Sequence, residues 1–364
     1  MIIYMGLLVW VLFFSYVAQK AIQNKKGRKD YFALFMILIG MVYVYSIRWN
    51  VGTDFSTYKD NFVLIGRLSF SEMLEVGNEQ LFNIIVWGAY QIMPGNFVFH
   101  NVVMSILIYG LAIKTIRKLT KDVIIAILFY MLICYAYAFN GTRQMLAAML
   151  CFSAYPFLEK KKYIPYFIVL FLASKIHITV LLIFPFFFLG ELPFNNRKLV
   201  LCEILVIFFS LYITKYWDKV MEFLSFLEMD KLVEDYQDIT RAYGTKFIRV
   251  FVKIPIVAVA LWRYPTLKKN DTDGRLNYIL NMSIFSVIFT IAGLRIVNLA
   301  RFSEYFSIYQ CLLITRLFKS MNIRQEQVIL STCMIICYIL MWIVLLHVDS
   351  ELLPYKLENG KVFN

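Results

Sequence analysis

Polar and apolar positions fall into long blocks along this chain. Apolar runs of roughly 15–22 residues recur from end to end between short polar breaks, a pattern that predicts membrane-spanning helices. The runs place spans at 2–19, 31–47, 81–93, 97–113, 123–139, 145–158, 163–174, 178–190, 199–214, 247–262, 276–293, 302–316 and 327–347. Several are shorter than a full crossing and read as broken or tilted helices, so the expected count is about eleven to thirteen. The fold class is therefore all-α: a polytopic integral membrane helical bundle forming a single transmembrane domain over 1–364. The first run lacks a basic leading region and a small-residue cleavage site, and it reads as a retained span.

Lysine and arginine collect in short breaks at Lys20–Lys29, Lys114–Lys121, Lys160–Lys162, Arg197–Lys198, Arg263–Arg275 and Arg316–Arg324. The positive-inside bias assigns these to the cytoplasmic side. From 114 onward the spans alternate, leaving 140–144, 174–177, 215–246 and 293–301 outside. The start alternates too, with the N-terminus and 48–80 outside. The halves clash at one point: if 81–93 and 97–113 both cross, the 114–121 loop lands on the wrong side. A single crossing with a re-entrant break at Pro94-Gly95-Asn96 removes the clash. The outer loop 48–80 carries Glu72, Glu75 and Glu79. The outer loop 215–246 mixes charges with Phe223, Leu224, Phe226 and Leu227, as an amphipathic helix lying on the membrane does.

Composition narrows the classes. With 60% hydrophobic and only 17% charged residues, no soluble domain is expected. A net charge of +13 would suit nucleic acid, but its confinement to short inter-span loops points to membrane orientation and to no nucleic-acid partner. The six cysteines lie in apolar runs; Cys333 and Cys337 share a helix face, but no histidine or carboxylate joins them, so no metal site is expected.

Four arginines break the pattern. Arg48, Arg143, Arg295 and Arg301 each stand at the end of an apolar run on the side without basic loops, so the charge bias does not explain them. A guanidinium near hydrocarbon is costly and is retained mostly for function. Converging, such cations suit a lipid-linked phosphate or pyrophosphate, whose oxygens match the planar fork of arginine.

Each arginine has polar company. In Arg48-Trp49-Asn50-Val51-Gly52-Thr53-Asp54, Gly52 allows a tight turn and Thr53 or Asp54 can cap a following helix; the same residues can bind phosphate through Arg48 and abstract a proton through Asp54. Arg143 and Gln144 fall in the first turn of a helix, where free N–H groups and the dipole reinforce a cation into an anion pocket; plain snorkelling to headgroups is the simpler account of Arg143. Ser174-Lys175-Ile176-His177 interrupts an apolar run, and His177 is either a packed histidine or a general base. Arg301, Glu304 and Tyr305 lie at i, i+3 and i+4 of one helix face, where an Arg301–Glu304 pair would let the arginine enter the membrane. His100 and His347 stand without polar neighbours. No Walker loop, nucleophile elbow, metalloprotease helix or dinucleotide fingerprint is present.

Taken in order, Arg48 with Gly52-Thr53-Asp54 and Tyr58, then Arg143-Gln144, then His177, then Arg301 with Tyr305-Phe306 resemble the EpsG family of Wzy-type polysaccharide polymerases over about residues 30–320. The resemblance implies a Wzy-like or GT-C-like bundle in the bacterial cytoplasmic membrane, needing no cofactor and no metal. It implies a glycosyltransferase that joins oligosaccharide repeat units carried on undecaprenyl pyrophosphate into O-antigen, capsule or exopolysaccharide at the outer face. The expected partners are that lipid-linked oligosaccharide and membrane lipid, with a chain-length regulator as a further candidate.

On that reading Arg143, Arg295 and Arg301 hold the donor pyrophosphate, Arg48 holds the acceptor's pyrophosphate or supports Asp54, and His177 or Asp54 takes the acceptor proton. Gln144 and Glu304 complete the binding set, and Tyr58 and Tyr305 contact sugars. A flippase or exporter of the same lipid-linked glycan, and a ligase or other lipid-phosphosugar transferase, are the alternatives.

Overall fold

The computed structural model describes residues 1–25, 27–197, 199–201, 204, 205, 208, 219, 247–294, 297–321, 324–348 and 352–363. The expected amphipathic stretch at 215–246, apart from Lys219, lies outside the described residues, as do Arg295 and most of the 199–214 run. Contacts divide the chain into two compact units, Met1–Phe184 with Ile314–Asn364, and Pro185–Leu313.

The chain is a helical, multi-pass membrane protein. Its helices in order are α1 (Ile2–Gln23), α2 (Gly27–Ser46), α3 (Phe55–Gly66), α4 (Phe70–Glu75), α5 (Gln80–Ile92), α6 (Phe97–Leu119), α7 (Val123–Ile133), α8 (Thr142–Glu159), α9 (Tyr163–Ser174) and α10 (Val180–Leu189). After the intervening residues come α11 (Phe247–Trp262), α12 (Tyr264–Lys269), α13 (Leu276–Ala292), α14 (Val297–Phe302), α15 (Glu304–Lys319) and α16 (Arg324–Val348). Among the described residues α1, α2 from Arg28, α6 and α16 are long and apolar enough to cross a bilayer. The apolar run predicted at 163–174 matches α9 to the residue, and the run at 247–262 ends with α11 at Trp262.

The first unit has two chemically distinct ends. At one, Arg117 of α6 donates to Asp30 of α2 at 2.9 Å, Gln19 of α1 accepts from the Val123 amide at 2.8 Å, and Lys319 pairs with Asp122. The basic loops 20–29, 114–121 and 316–324 therefore share one end. Arg48, Asn140, Arg143 and His177 share the other, through contacts described below.

Helix α5 is short. Its 13 residues reach about 20 Å at 1.5 Å per residue, short of the roughly 30 Å hydrocarbon core. It packs along α3 instead: Trp87 donates to the Leu68 carbonyl at 3.0 Å and Gln91 to the Gly66 carbonyl at 2.8 Å. Gly66 lacks the Cβ that would run into the Tyr90 ring. The chain then turns at Pro94-Gly95, with Gly95 at φ +72°, and Asn96 caps α6 by accepting from the Phe99 amide at 2.9 Å. Of α5 and α6, only α6 is long and apolar enough to cross a bilayer.

Beyond α16, the segment 352–363 folds back on the first unit as a two-stranded hairpin, Tyr355–Lys356 against Val362–Phe363. The Trp49 amide donates to the Lys356 carbonyl at 2.9 Å, Arg48 bridges to Leu357, and Tyr355 donates to the Val44 carbonyl. In the second unit Phe186 meets Phe285 and Phe289 edge-on, and Phe306 stacks on Phe289 at 5.6 Å. Asn281 of α13 fastens the turn after α10 by donating to the Gly190 and Leu192 carbonyls at 3.0 and 2.8 Å.

Candidate functional site

The turn after α2 is built around Arg48, which is 1% exposed. Its guanidinium donates to the Phe139 carbonyl at 2.8 Å and lies 4.2 Å and 4.6 Å from the Tyr45 and Phe139 ring centres. Among the described residues no carboxylate pairs with it; carbonyl oxygens and aromatic faces take that role. Gly52, at φ +96°, brings the chain so close that a Cβ would lie 2.6 Å from the Asn140 side-chain oxygen and 2.7 Å from the Phe139 carbonyl. That approach lets Asn140 accept from the Thr53 amide at 2.9 Å. Asp54 stands at the N-cap of α3 as anticipated, but its carboxylate accepts from the Thr53 hydroxyl at 3.0 Å and caps no helix amide. Arg48 and Asn140 thus weld the 48–54 turn to the start of α8.

From that weld a polar cluster extends across four segments. Tyr58 of α3 accepts from the Arg143 amide at 3.3 Å. Arg143, in the first turn of α8, donates through Nη1 to Glu79 Oε2 at 2.7 Å. Glu79, the residue before α5, holds His177 Nδ1 at 2.6 Å through Oε1 and also accepts from the Ile178 amide at 3.4 Å. The Lys175 carbonyl accepts from the Leu81 amide at 3.0 Å. It satisfies an orphan N–H at the start of α5 and fixes the 175–178 turn against Glu79.

The electrostatics follow from this geometry. Burial works to raise the Glu79 pKa, but the His177 hydrogen bond and the Arg143 cation outweigh it and hold the carboxyl below its ordinary value of 4.5. Burial raises the Tyr58 pKa, with Arg143 opposing, so the phenol stays neutral. In the neutral tautomer with its proton on Nδ1, the His177 ring donates to the charged Glu79 and Nε2 carries the lone pair. Nε2 has no hydrogen-bond partner among the described residues, and the side chain is 21% exposed. Arg143 is 39% exposed. This arrangement can take a proton from a bound hydroxyl and can contact an anion or a sugar.

The second unit holds a different constellation. Lys253 of α11 donates to Glu304 Oε1 and to the Ser303 hydroxyl, both at 2.6 Å, with the two charged side chains 4% and 3% exposed. One expectation is corrected here. The chain turns at Ser303, so Arg301 on α14 and Glu304-Tyr305 on α15 do not share one continuous helix face. Glu304 forms an ion pair with Lys253 at 2.6 Å. At the break the Ser303 hydroxyl donates to the Ala300 carbonyl at 2.6 Å, and its backbone carbonyl accepts from the Ser307 hydroxyl at 2.8 Å. Arg301 is exposed, and Tyr305 is fully buried.

The structure therefore brings Tyr58, Arg143 and His177 into one cluster, with Asp54 close to Tyr58 and Gln144 buried beside Arg143. Arg48 is sealed behind the Phe139 carbonyl. Arg295 lies outside the described residues. Two members were missed in sequence. Glu79 had been read only as part of an acidic stretch, although it immediately precedes an apolar run. Lys253 is a lone lysine inside FIRVFVKIPIVAVALW, an intramembrane cation of the kind that marks a partner or a site.

A family model described as the EpsG family matches residues 30–357. No curated protein and no solved structure matches the chain significantly.

Proposed function

The chain belongs to the EpsG family, membrane proteins of polysaccharide biosynthesis, and from that premise we propose that it is a polymerase of lipid-linked oligosaccharide units. Its substrates are oligosaccharides on undecaprenyl pyrophosphate, and it works at the outer face of the bacterial cytoplasmic membrane. The observation that carries this reading is the Glu79-bridged pair of Arg143 and His177, which sets a base and a cation side by side.

In the reaction, a hydroxyl of the acceptor sugar gives its proton to His177 Nε2 and its oxygen bonds to the anomeric carbon of the donor chain. The bond from that carbon to the pyrophosphate oxygen breaks, and its electron pair leaves on undecaprenyl pyrophosphate. Arg143 meets the charge that develops there, and Tyr58 and Gln144 orient the sugar. His177 is preferred to Asp54 as the base because its second nitrogen is bare, whereas Asp54 accepts from Thr53. Arg48 serves as a fixed strut for this end of the unit.

The ligase and flippase alternatives separate in the surface glycans of a deletion strain. Loss of a polymerase leaves single repeat units on the final acceptor. Loss of a ligase leaves long chains on undecaprenyl pyrophosphate, and loss of a flippase leaves nothing at the outer face. The polymerase reading expects the first pattern, restored by the wild-type gene and not by His177→Ala.

A further inference from the structure

We propose that Glu79 is the positioning residue of the transfer step: it holds His177 as the Nδ1–H tautomer and keeps the cluster electrically neutral until the proton arrives. The inference rests on the polymerase reading for its chemistry, but its geometry stands alone.

Glu79 uses both oxygens on different elements, Oε1 on His177 at 2.6 Å and Oε2 on Arg143 at 2.7 Å. Its side chain is 15% exposed, and its backbone is the N-cap of α5. The Lys175 carbonyl, bonded to the Leu81 amide, locks the histidine turn to that same helix end. The base and its orienting group are therefore fixed relative to each other by backbone as well as side chain.

An imidazole can offer only one bare nitrogen when neutral, and its partner decides which. A carboxylate at Nδ1 leaves Nε2 as the acceptor. The other groups facing Glu79 are Arg143 from α8 and the Ile178 amide. The Lys175 ammonium is carried off to the Phe171 ring at 5.7 Å, and Tyr58 reaches the cluster through Arg143. With neutral His177, the charges of Arg143 and Glu79 cancel. When Nε2 takes the acceptor proton, one positive charge appears just as the anomeric C–O bond breaks and the pyrophosphate gains its extra negative charge. Glu79 thereby couples proton uptake to departure of the leaving group without touching substrate.

The test uses the full-length protein in lipid nanodiscs, labelled with 15N-histidine, with the His177 signal identified by its loss in His177→Ala. The wild type at neutral pH is expected to show the Nδ1-protonated ring. Glu79→Gln, whose amide can donate to Nδ1, is expected to convert it to the Nε2-protonated ring. In the same preparations, elongation of an undecaprenyl-pyrophosphate oligosaccharide is expected to fall by about 10³–10⁴-fold in kcat, as when a carboxylate orienting a catalytic histidine becomes an amide. KM is expected to stay level or fall, since Arg143 is released from its counter-charge. Glu79→Asp is expected to keep the Nδ1–H ring and recover about tenfold or more of the lost rate. A wild-type Nε2–H ring, an unchanged ring in Glu79→Gln, or a Glu79→Gln kcat within about threefold of wild type overturns the inference. If the wild type makes no polymer, the polymerase reading falls, while the ring signals still decide whether Glu79 positions His177.

Discussion

The Glu79 cluster of the first unit and the Lys253–Glu304 pair of the second are built from the same materials, a glutamate bonded to cations at 2.6–2.7 Å. They differ in what remains unspent. Lys253 and Glu304 are 4% and 3% exposed, the Ser303 hydroxyl joins them, and Glu304 Oε2 is buried without a hydrogen-bond partner among the described residues. Around Glu79 the partners stay 39% and 21% exposed, and His177 keeps a bare nitrogen. A buried pair of the first kind offsets its desolvation only while both members are present. A half-open cluster loses little stability when a partner goes but loses the chemistry its exposed atoms perform.

The largest expected effect is therefore on the sealed pair. Lys253→Met should destabilise the detergent-solubilised protein by about 3–5 kcal/mol, because Glu304 is left charged or forced to protonate among apolar side chains. The double variant Lys253→Met/Glu304→Leu should recover most of that in urea or thermal unfolding. An unchanged midpoint for the single variant would mean that water reaches the pair and that it resembles the open cluster after all.

Next comes Arg143→Ala, which should leave the protein in the membrane with a midpoint close to wild type while polymer formation falls by about a hundredfold, the scale for losing one charge-stabilising donor. Normal glycan lengths on a gel would remove Arg143 from the reaction. A smaller effect belongs to the helix beside the cluster. Ser69 caps α4 in a reciprocal box with Glu72, and Ser69→Ala should cost about 1 kcal/mol in unfolding with no change in glycan length. A shortened glycan would show that α4 also shapes the site.

The smallest signal is in pH. Because Glu79 is held below 4.5, its contribution to stability is complete above that value and disappears as the pH falls through its folded value. Between pH 5 and about 3 the wild type should lose stability more steeply than Glu79→Gln. Parallel curves would show that the carboxylate gains nothing from its two partners.

How much of this was legible in the sequence depends on the range of the forces involved. Helices follow from local apolar runs, and α9 came out to the residue. The half-length α5 was visible as a conflict between run count and basic loops, with Pro94-Gly95 at the break. The turn at Gly52 and the helix start at Thr142 were likewise local. Glu79 was not, because its meaning lies in the distance to two residues, 64 and 98 positions away. Its one local mark, a place just before an apolar run, names no partner, and Glu72 in the same acidic stretch caps a surface helix. Arg48 shows the reverse error: its isolation at the end of an apolar run reads as a ligand site, whereas its ligand is the chain itself, the Phe139 carbonyl. The pair Lys253–Glu304 was half legible, since a lysine in the middle of an apolar helix demands an anion but does not name one.

The hairpin at 352–363 gives that buried arginine a further meaning. Tyr355 grips a carbonyl 311 positions upstream, so the tail acts as a rivet through a turn laid down near the start of the chain. Trimming it away would strip the cover from a permanent cation at the rim of the bundle, and phospholipid headgroups would compete for the place that the Phe139 oxygen now holds. A truncation that spares every span would thereby loosen the 48–54 turn and, through Asn140, the helix that carries Arg143.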